Sequence, residues 1–146
     1  MSVPRPDVRL CHLVQLTAHE DKAGALVPME RGAGIPFTPQ RVFTVTGVSA
    51  GSERGGHANA VTTELLLCLS GRVEVGLDDG RTVTTYVLDD PRVGLVITPM
   101  VWVSLRIVAD QTVLLAMCDT TWREAEPAYF RDRAHWLGTL TADAAA

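Results

Sequence analysis

A histidine, an amide and a carboxylic acid fall close together in this chain: His57, Asn59 and Glu64, within the stretch Gly51 to Gly71 that reads GSERGGHANAVTTELLLCLSG. His57 and Asn59 are two residues apart, so on a strand both side chains leave the same face, and Glu64 arrives from the strand that follows. The imidazole of His57 titrates near neutrality and is the natural base of the group. The amide of Asn59 donates hydrogen bonds but exchanges no proton at neutral pH; it is read either as such a donor or as a polar filler. Burial raises a carboxyl pKa towards neutrality, which would let Glu64 give and take protons; the other reading makes it the salt-bridge partner of Arg54 or Arg41. An amide oxygen suits first-row metals poorly, and His57 with Glu64 falls short of the three protein ligands of a catalytic metal site. The expectation is therefore chemistry without metal or other cofactor.

The elements that must hold these residues are short and apolar. Arg41 to Val48, Glu64 to Leu69, Arg72 to Leu77, Thr82 to Leu88, Leu95 to Ile97, Val101 to Val108 and Thr112 to Cys118 carry strand patterns, several with period two. Ser70-Gly71, Asp78-Asp79-Gly80, Asp89-Asp90-Pro91 and Ala109-Asp110 are plausible tight connections between them. The spacing predicts an all-β jelly-roll barrel of two antiparallel sheets. On Val101 to Val108 one face is aliphatic and the other carries Trp102, Ser104 and Arg106. That second face is a ligand wall if it lines the barrel, and otherwise a solvent-facing or dimer surface. From Pro127 the pattern turns helical, predicting one helix over about 127–140 with Trp122 and Trp136 packing it, then a frayed tail at 141–146.

With 146 residues, 47% of them hydrophobic and 21% charged, the chain is long enough for one domain, 1–146, with its own core. A net charge of −4 and no Lys/Arg cluster argue against nucleic acid or an anionic membrane surface as the partner. Twelve arginines stand against one lysine, Lys22, a bias read first as genomic base composition and second as a supply of guanidinium forks for a phosphate. No apolar run has the length of a membrane span or the form of a signal peptide, and the chain is expected in the cytoplasm. Cys11, Cys68 and Cys118 share no close spacing and are expected to be buried, inert thiols.

In order, DKAGAL (21–26), IPFTPQRVF (35–43), RGGHAN (54–59), LSG (69–71), DDG (78–80), GLVITPMVW (94–102) and the segment Tyr129 to Leu137 resemble the landmarks of the sugar-nucleotide 3,4-ketoisomerases, over nearly the whole chain. The resemblance implies a metal-free cupin acting on TDP-4-keto-6-deoxyglucose in deoxysugar biosynthesis, and a homodimer with exchanged N-terminal strands. The family motif RGxHAH reads here RGGHAN, so its first histidine is His57 and its second is replaced by Asn59. Further departures are Phe43 and Thr44 for family tyrosines, Glu64 for a glutamine, Ala23 for an arginine and Val103 for a histidine. Ser104 stands where metal cupins place a histidine.

Ketoisomerisation needs a base, an anion clamp and an acid. By their chemistry His57 is the candidate base, Asn59 a hydrogen-bond donor to an enediolate, and Glu64 the best remaining candidate for the second proton transfer. Arg41 and Arg54 would bind pyrophosphate or orient the sugar, with Phe43, Trp102, Ser104 and Arg106 completing the substrate-binding wall. Two alternatives stay open: an isomerase, cyclase or dehydratase acting on a non-nucleotide natural-product intermediate, and a non-catalytic small-molecule binding cupin.

Overall fold

The computed structural model describes residues 3–145. Along the chain the strands are β1 (His12–Gln15), β2 (His19–Asp21), β3 (Gly24–Leu26), β4 (Glu30–Arg31), β5 (Gly34–Ile35), β6 (Arg41–Val45), β7 (Glu53–Asn59), β8 (Glu64–Ser70), β9 (Val73–Asp78), β10 (Val83–Leu88), β11 (Val93–Ile97), β12 (Trp102–Ile107), β13 (Val113–Cys118) and β14 (Tyr129–Phe130). The helices are α1 (Trp122–Ala125) and α2 (Arg133–Ala145). Two five-stranded antiparallel sheets result, ordered β1-β11-β8-β13-β6 and β10-β9-β12-β7-β14. The pairs β2–β3 and β4–β5 form small separate ladders near the N-terminus.

The main core lies between the sheets, where Leu66 and Cys68 of β8 and Leu114 and Ala116 of β13 meet Val73, Val75 and Leu77 of β9 and Val103, Leu105 and Ile107 of β12. Alternate residues on β8 and β13 point the other way: Leu65, Leu67 and Met117 are buried against Leu16 and Ile35 of the N-terminal segment. Burial on both faces explains why ELLLCL is a continuous apolar run rather than an alternating one. The second sheet is covered outside by α2, whose Trp136 is fully buried with Ala58, Met100 and Trp102. The Trp136 indole donates from Nε1 to the Met100 carbonyl at 2.8 Å, so its one polar group is satisfied while its rings contribute roughly 2–3 kcal/mol of burial.

Three sequence expectations are corrected here. The face carrying Trp102, Ser104 and Arg106 does not line the barrel: Trp102 packs outward on Trp136 at 5.5 Å, Ser104 is exposed, and exposed Arg106 pairs with Glu74 at 3.0 Å. The aliphatic face of β12 takes the lumen because Val103, Leu105 and Ile107 complete the main core. The C-terminal helix begins at Arg133 rather than near Pro127. Asp132 caps it by accepting the His135 N–H at 2.7 Å, and Tyr129–Phe130 is a strand paired with Asn59 and Ala58. Phe130, inside the range expected to be helical, packs with the cluster beneath α2 from that strand. Lastly, residues 141–145 continue α2, in keeping with the high helix propensity of alanine. No helix among the described residues is long and apolar enough to cross a membrane.

Candidate active site

The segment RGGHAN is a strand with a bulge in it. Val103 of β12 lies opposite His57 of β7, while the next residue, Ser104, lies opposite Gly55, so Gly56 is an extra residue in the ladder. Gly55 and Gly56 both have positive φ, at 76° and 70°. A Cβ on Gly55 would stand 2.9 Å from the Val103 carbonyl, so glycine is required there by backbone conformation and by contact alike. The bulge also decides which residues share a face. Arg54 and His57 are three apart and would point to opposite sides of a regular strand; with one residue inserted, both border one cleft, His57 half-buried and Arg54 exposed.

The opposite wall is a transverse row. In the register of the first sheet, Ile97, Glu64, Cys118 and Arg41 are successive partners across β11, β8, β13 and β6. The two walls enclose a cleft of about 290 Å³ lined by Arg41, Phe43, Arg54, His57, Asn59, Glu64 and Cys118, with Trp122 and Tyr129 at its edge. All three expected proton-transfer and donor residues are thus brought together, as are Arg41, Arg54 and Phe43. A larger groove of about 700 Å³ runs between the N-terminal segment and α2, bordered by Arg5, Leu10, Arg81 and Leu140. It contains no imidazole and no raised carboxyl, so the smaller cleft is where the chemistry can occur.

His57 is held by an aromatic stack. Its ring lies 5.0 Å from that of Tyr129 at an interplanar angle of 18°, and Tyr129 meets Trp122 edge-on at 5.1 Å. Burial pushes the His57 pKa down, a hydrogen bond at the Gly55 backbone pulls it up, and the Arg131 charge lowers it further; the net direction is down. A neutral imidazole at neutral pH is what a base requires. Glu64 is driven the other way, to about 7, because burial outweighs the pull of Arg41. No ion pair within 4.0 Å among the described residues involves Glu64, so neither Arg54 nor Arg41 neutralises it directly. Its neighbour across the ladder, Cys118, donates Sγ–H to Oε2 at 3.9 Å, and burial followed by the Glu64 charge raises that thiol to about 12. Asn59 is partly committed: its Oδ1 accepts the Val61 N–H at 3.2 Å, which leaves the amide NH2 as its free donor.

Cys118, Trp122 and Tyr129 line this cleft and Arg131 stands beside it, all outside the sequence-derived set. Cys118 is a buried, free thiol as expected, but it contacts the carboxyl. Trp122 borders the cleft instead of packing the C-terminal helix, placed there by a capping box in which Thr121 and Glu124 bond each other's backbone N–H. Tyr129 and Arg131 follow in the same segment, with the Arg131 guanidinium 4.7 Å from the Tyr129 ring. The available signal was the clustering of aromatics and arginines in WREAEPAYFRDR directly after the last barrel strand. Among the described residues no group of three or more His, Cys, Asp and Glu side chains is placed to hold a metal ion.

Known proteins with this architecture share the sequence framework. The family model described as FdtA: WxcM-like, C-terminal matches residues 9–141. TDP-4-oxo-6-deoxy-alpha-D-glucose-3,4-oxoisomerase from Aneurinibacillus thermoaerophilus is 32% identical over 106 residues, which are 73% of this chain and 76% of that enzyme. QdtA, a sugar 3,4-ketoisomerase from Thermoanaerobacterium thermosaccharolyticum crystallised in complex with TDP, superposes with a TM-score of 0.84 at 29% identity, covering 91% of this chain and 96% of QdtA. A 3,4-ketoisomerase from Helicobacter canadensis gives a TM-score of 0.85 at 26% identity, covering 90% and 97%. The fold is cupin-like, and the chain belongs to the FdtA, WxcM-like C-terminal family of sugar 3,4-ketoisomerases.

Proposed function

We propose that the chain is a TDP-4-keto-6-deoxyglucose 3,4-ketoisomerase that works by proton transfer between His57, Glu64 and the sugar. The observation that carries the reading is the pairing of opposite pKa displacements in one cleft, an imidazole pushed down and a carboxyl pushed up to about 7. The base is then unprotonated and a fraction of the acid is protonated at the same pH.

The steps balance without any further reagent. His57 takes the proton from C3, and the electrons move into a C3–C4 double bond as the C4 carbonyl becomes an enediolate oxygen. Glu64 protonates that oxygen, and the Asn59 amide and the Arg41 charge stabilise its negative form. The enediol collapses when the O3 proton passes to the Glu64 carboxylate and the imidazolium returns a proton to C4. A hydrogen has left C3 and one has reached C4, one has left O3 and one has reached O4, and both side chains are reset. Arg54 and Phe43 line the remainder of the cleft and orient the hexose.

We take the working unit to be a homodimer formed through the N-terminal segment, where Leu10, Leu13 and Leu26 are exposed and β1 is an edge strand. We place the reaction in the cytoplasm, where three free, buried cysteines are at home.

Titration calorimetry tests the substrate class. The protein is expected to bind TDP and to bind thymidine more weakly, since only the former carries the charged diphosphate. Absence of TDP binding would transfer the site to a non-nucleotide substrate.

A further inference from the structure

Cys118 touches the reacting carboxyl, and the proton-transfer scheme leaves it without a role. In the transverse row it lies between Glu64 and Arg41, its ladder partners on β8 and β6. All three line the cleft, and Cys118 is only 3% exposed. Neighbouring strands stand about 5 Å apart, so two strand spacings separate Arg41 from Glu64, a gap that two long side chains can bridge. They do not bridge it: Arg41 and Glu64 form no ion pair among the described residues. The Arg41 guanidinium lies instead over the rings of Phe43 and Trp122, 4.6 Å and 5.0 Å from their centroids, and the thiol occupies the row between it and the acid.

A thiol suits that position. It behaves as a small hydrophobe with a weak S–H donor, so it fills the space without solvating a carboxylate as a hydroxyl would. Its one hydrogen is directed at Oε2 of Glu64, at 3.9 Å. An oxygen that accepts this bond is held as the carbonyl oxygen of the neutral acid, which leaves the acidic hydrogen on Oε1. Burial and then the Glu64 charge push the thiol up to about 12, so its own hydrogen stays in place. The remaining neighbours offer no substitute. On the other side of Glu64 in the ladder stands apolar Ile97 of β11. Asp119, next along from Cys118, accepts the Thr63 N–H at 2.9 Å. Arg54 and His57 of β7 and Tyr129 of β14 border the same cleft from the other sheet.

We propose that Cys118 is a positioning residue for Glu64: it keeps the Arg41 guanidinium from pairing with the acid and, through its bond to Oε2, leaves Oε1 as the oxygen that passes protons to and from the sugar. The catalytic part rests on the proposed function above, whereas the hold on the carboxyl rests on the row and its hydrogen bond. Both transfers assigned to Glu64, to O4 and from O3, then run through one oxygen.

The test compares wild type with Cys118→Ser and Cys118→Ala, reading the pH profile of turnover and, independently of turnover, the 13C NMR titration of the Glu64 carboxyl, identified by its absence in Glu64→Gln. In Cys118→Ser the stronger hydroxyl donor is expected to weaken proton binding by Glu64 about tenfold, the size of a hydrogen bond to a charged group. The alkaline limb then moves down by about one pH unit, so kcat falls about ninefold at pH 8 and less than about twofold at pH 6, with KM unchanged. In Cys118→Ala the limb stays at or above its wild-type position, while kcat on the plateau falls about threefold, the size of one weak hydrogen bond. An unmoved Glu64 titration in Cys118→Ser, with active wild type, overturns the role of Cys118 and leaves the isomerase reading standing. A limb lowered equally by alanine also overturns it, because entering water would then set the midpoint. Should the serine variant fail to fold, a wild-type plateau in Cys118→Ala overturns it. A wild type without turnover whose Glu64 signal still shifts in Cys118→Ser keeps the hold on the carboxyl and removes the isomerase reading.

Discussion

His57→Asn is expected to lower kcat on TDP-4-keto-6-deoxyglucose by about a hundredfold or more while leaving TDP affinity within about twofold. The size follows from the role. A general base contributes about two to four orders of magnitude, and no other neutral imidazole lines this cleft. Asparagine is of similar polarity and smaller, so the barrel retains its fold, and Arg41 and Arg54 remain in the cleft. Kinetics and calorimetry on the same preparation separate the two effects. Equal turnover in His57→Asn and wild type would show that the carbon-bound proton leaves by another route.

Glu64→Gln should be nearly as damaging, although glutamine is the residue that the family pattern places there. The amide can still donate a hydrogen bond to the C4 oxygen, but it cannot pass a proton from O3 to O4. The pH dependence carries the distinguishing sign. On the acid side, wild-type kcat rises as His57 loses its proton at its depressed pKa; on the alkaline side it falls through about 7 as Glu64 ionises. The two limbs belong to the interacting pair rather than to either residue alone. The variant should lose the alkaline limb along with most of its rate. Stability supplies a control with the opposite trend: a carboxyl whose folded pKa is raised destabilises the fold as pH rises from its unfolded value through about 7. Glu64→Gln should therefore raise Tm at pH 8 and change it less at pH 5, so a lost rate cannot be ascribed to unfolding. A mild loss of rate with an unchanged pH profile would reduce Glu64 to a structural residue.

The sheet architecture was legible because its strands carry period-two or continuous apolar patterns between turn residues. Within the two sheets β1, β7 and β14 carried no such pattern; in β7, Arg54, Gly55 and Gly56 have neither apolar alternation nor β propensity, because the segment is held by a bulge whose partner lies about fifty residues away on β12. The same bulge explains why Arg54 and His57 reach one cleft despite their odd spacing. The outward position of Trp102, Ser104 and Arg106 was not legible, since both faces of β12 contain large apolar groups and only the packing of Trp102 on Trp136 distinguishes them. The helical pattern read from Pro127 onward overran its true start, which Asp132 sets, because Phe130 belongs to a strand. The contribution of Trp122, Tyr129 and Arg131 depends on a chain reversal after β13 that brings β14 beside Asn59, a tertiary pairing with no local signature.

The central claim is proton transfer from C3 of a TDP-linked 4-keto sugar to His57, and proton NMR of TDP-4-keto-6-deoxyglucose with the protein in D2O tests it most directly. The account predicts that the C3 proton signal disappears and that a 3-keto sugar nucleotide accumulates with wild type, both at least a hundredfold more slowly with His57→Asn. A sugar nucleotide that binds yet keeps its C3 proton and its 4-keto group through prolonged incubation with wild type would contradict it, and would make the cleft a binding site without this chemistry.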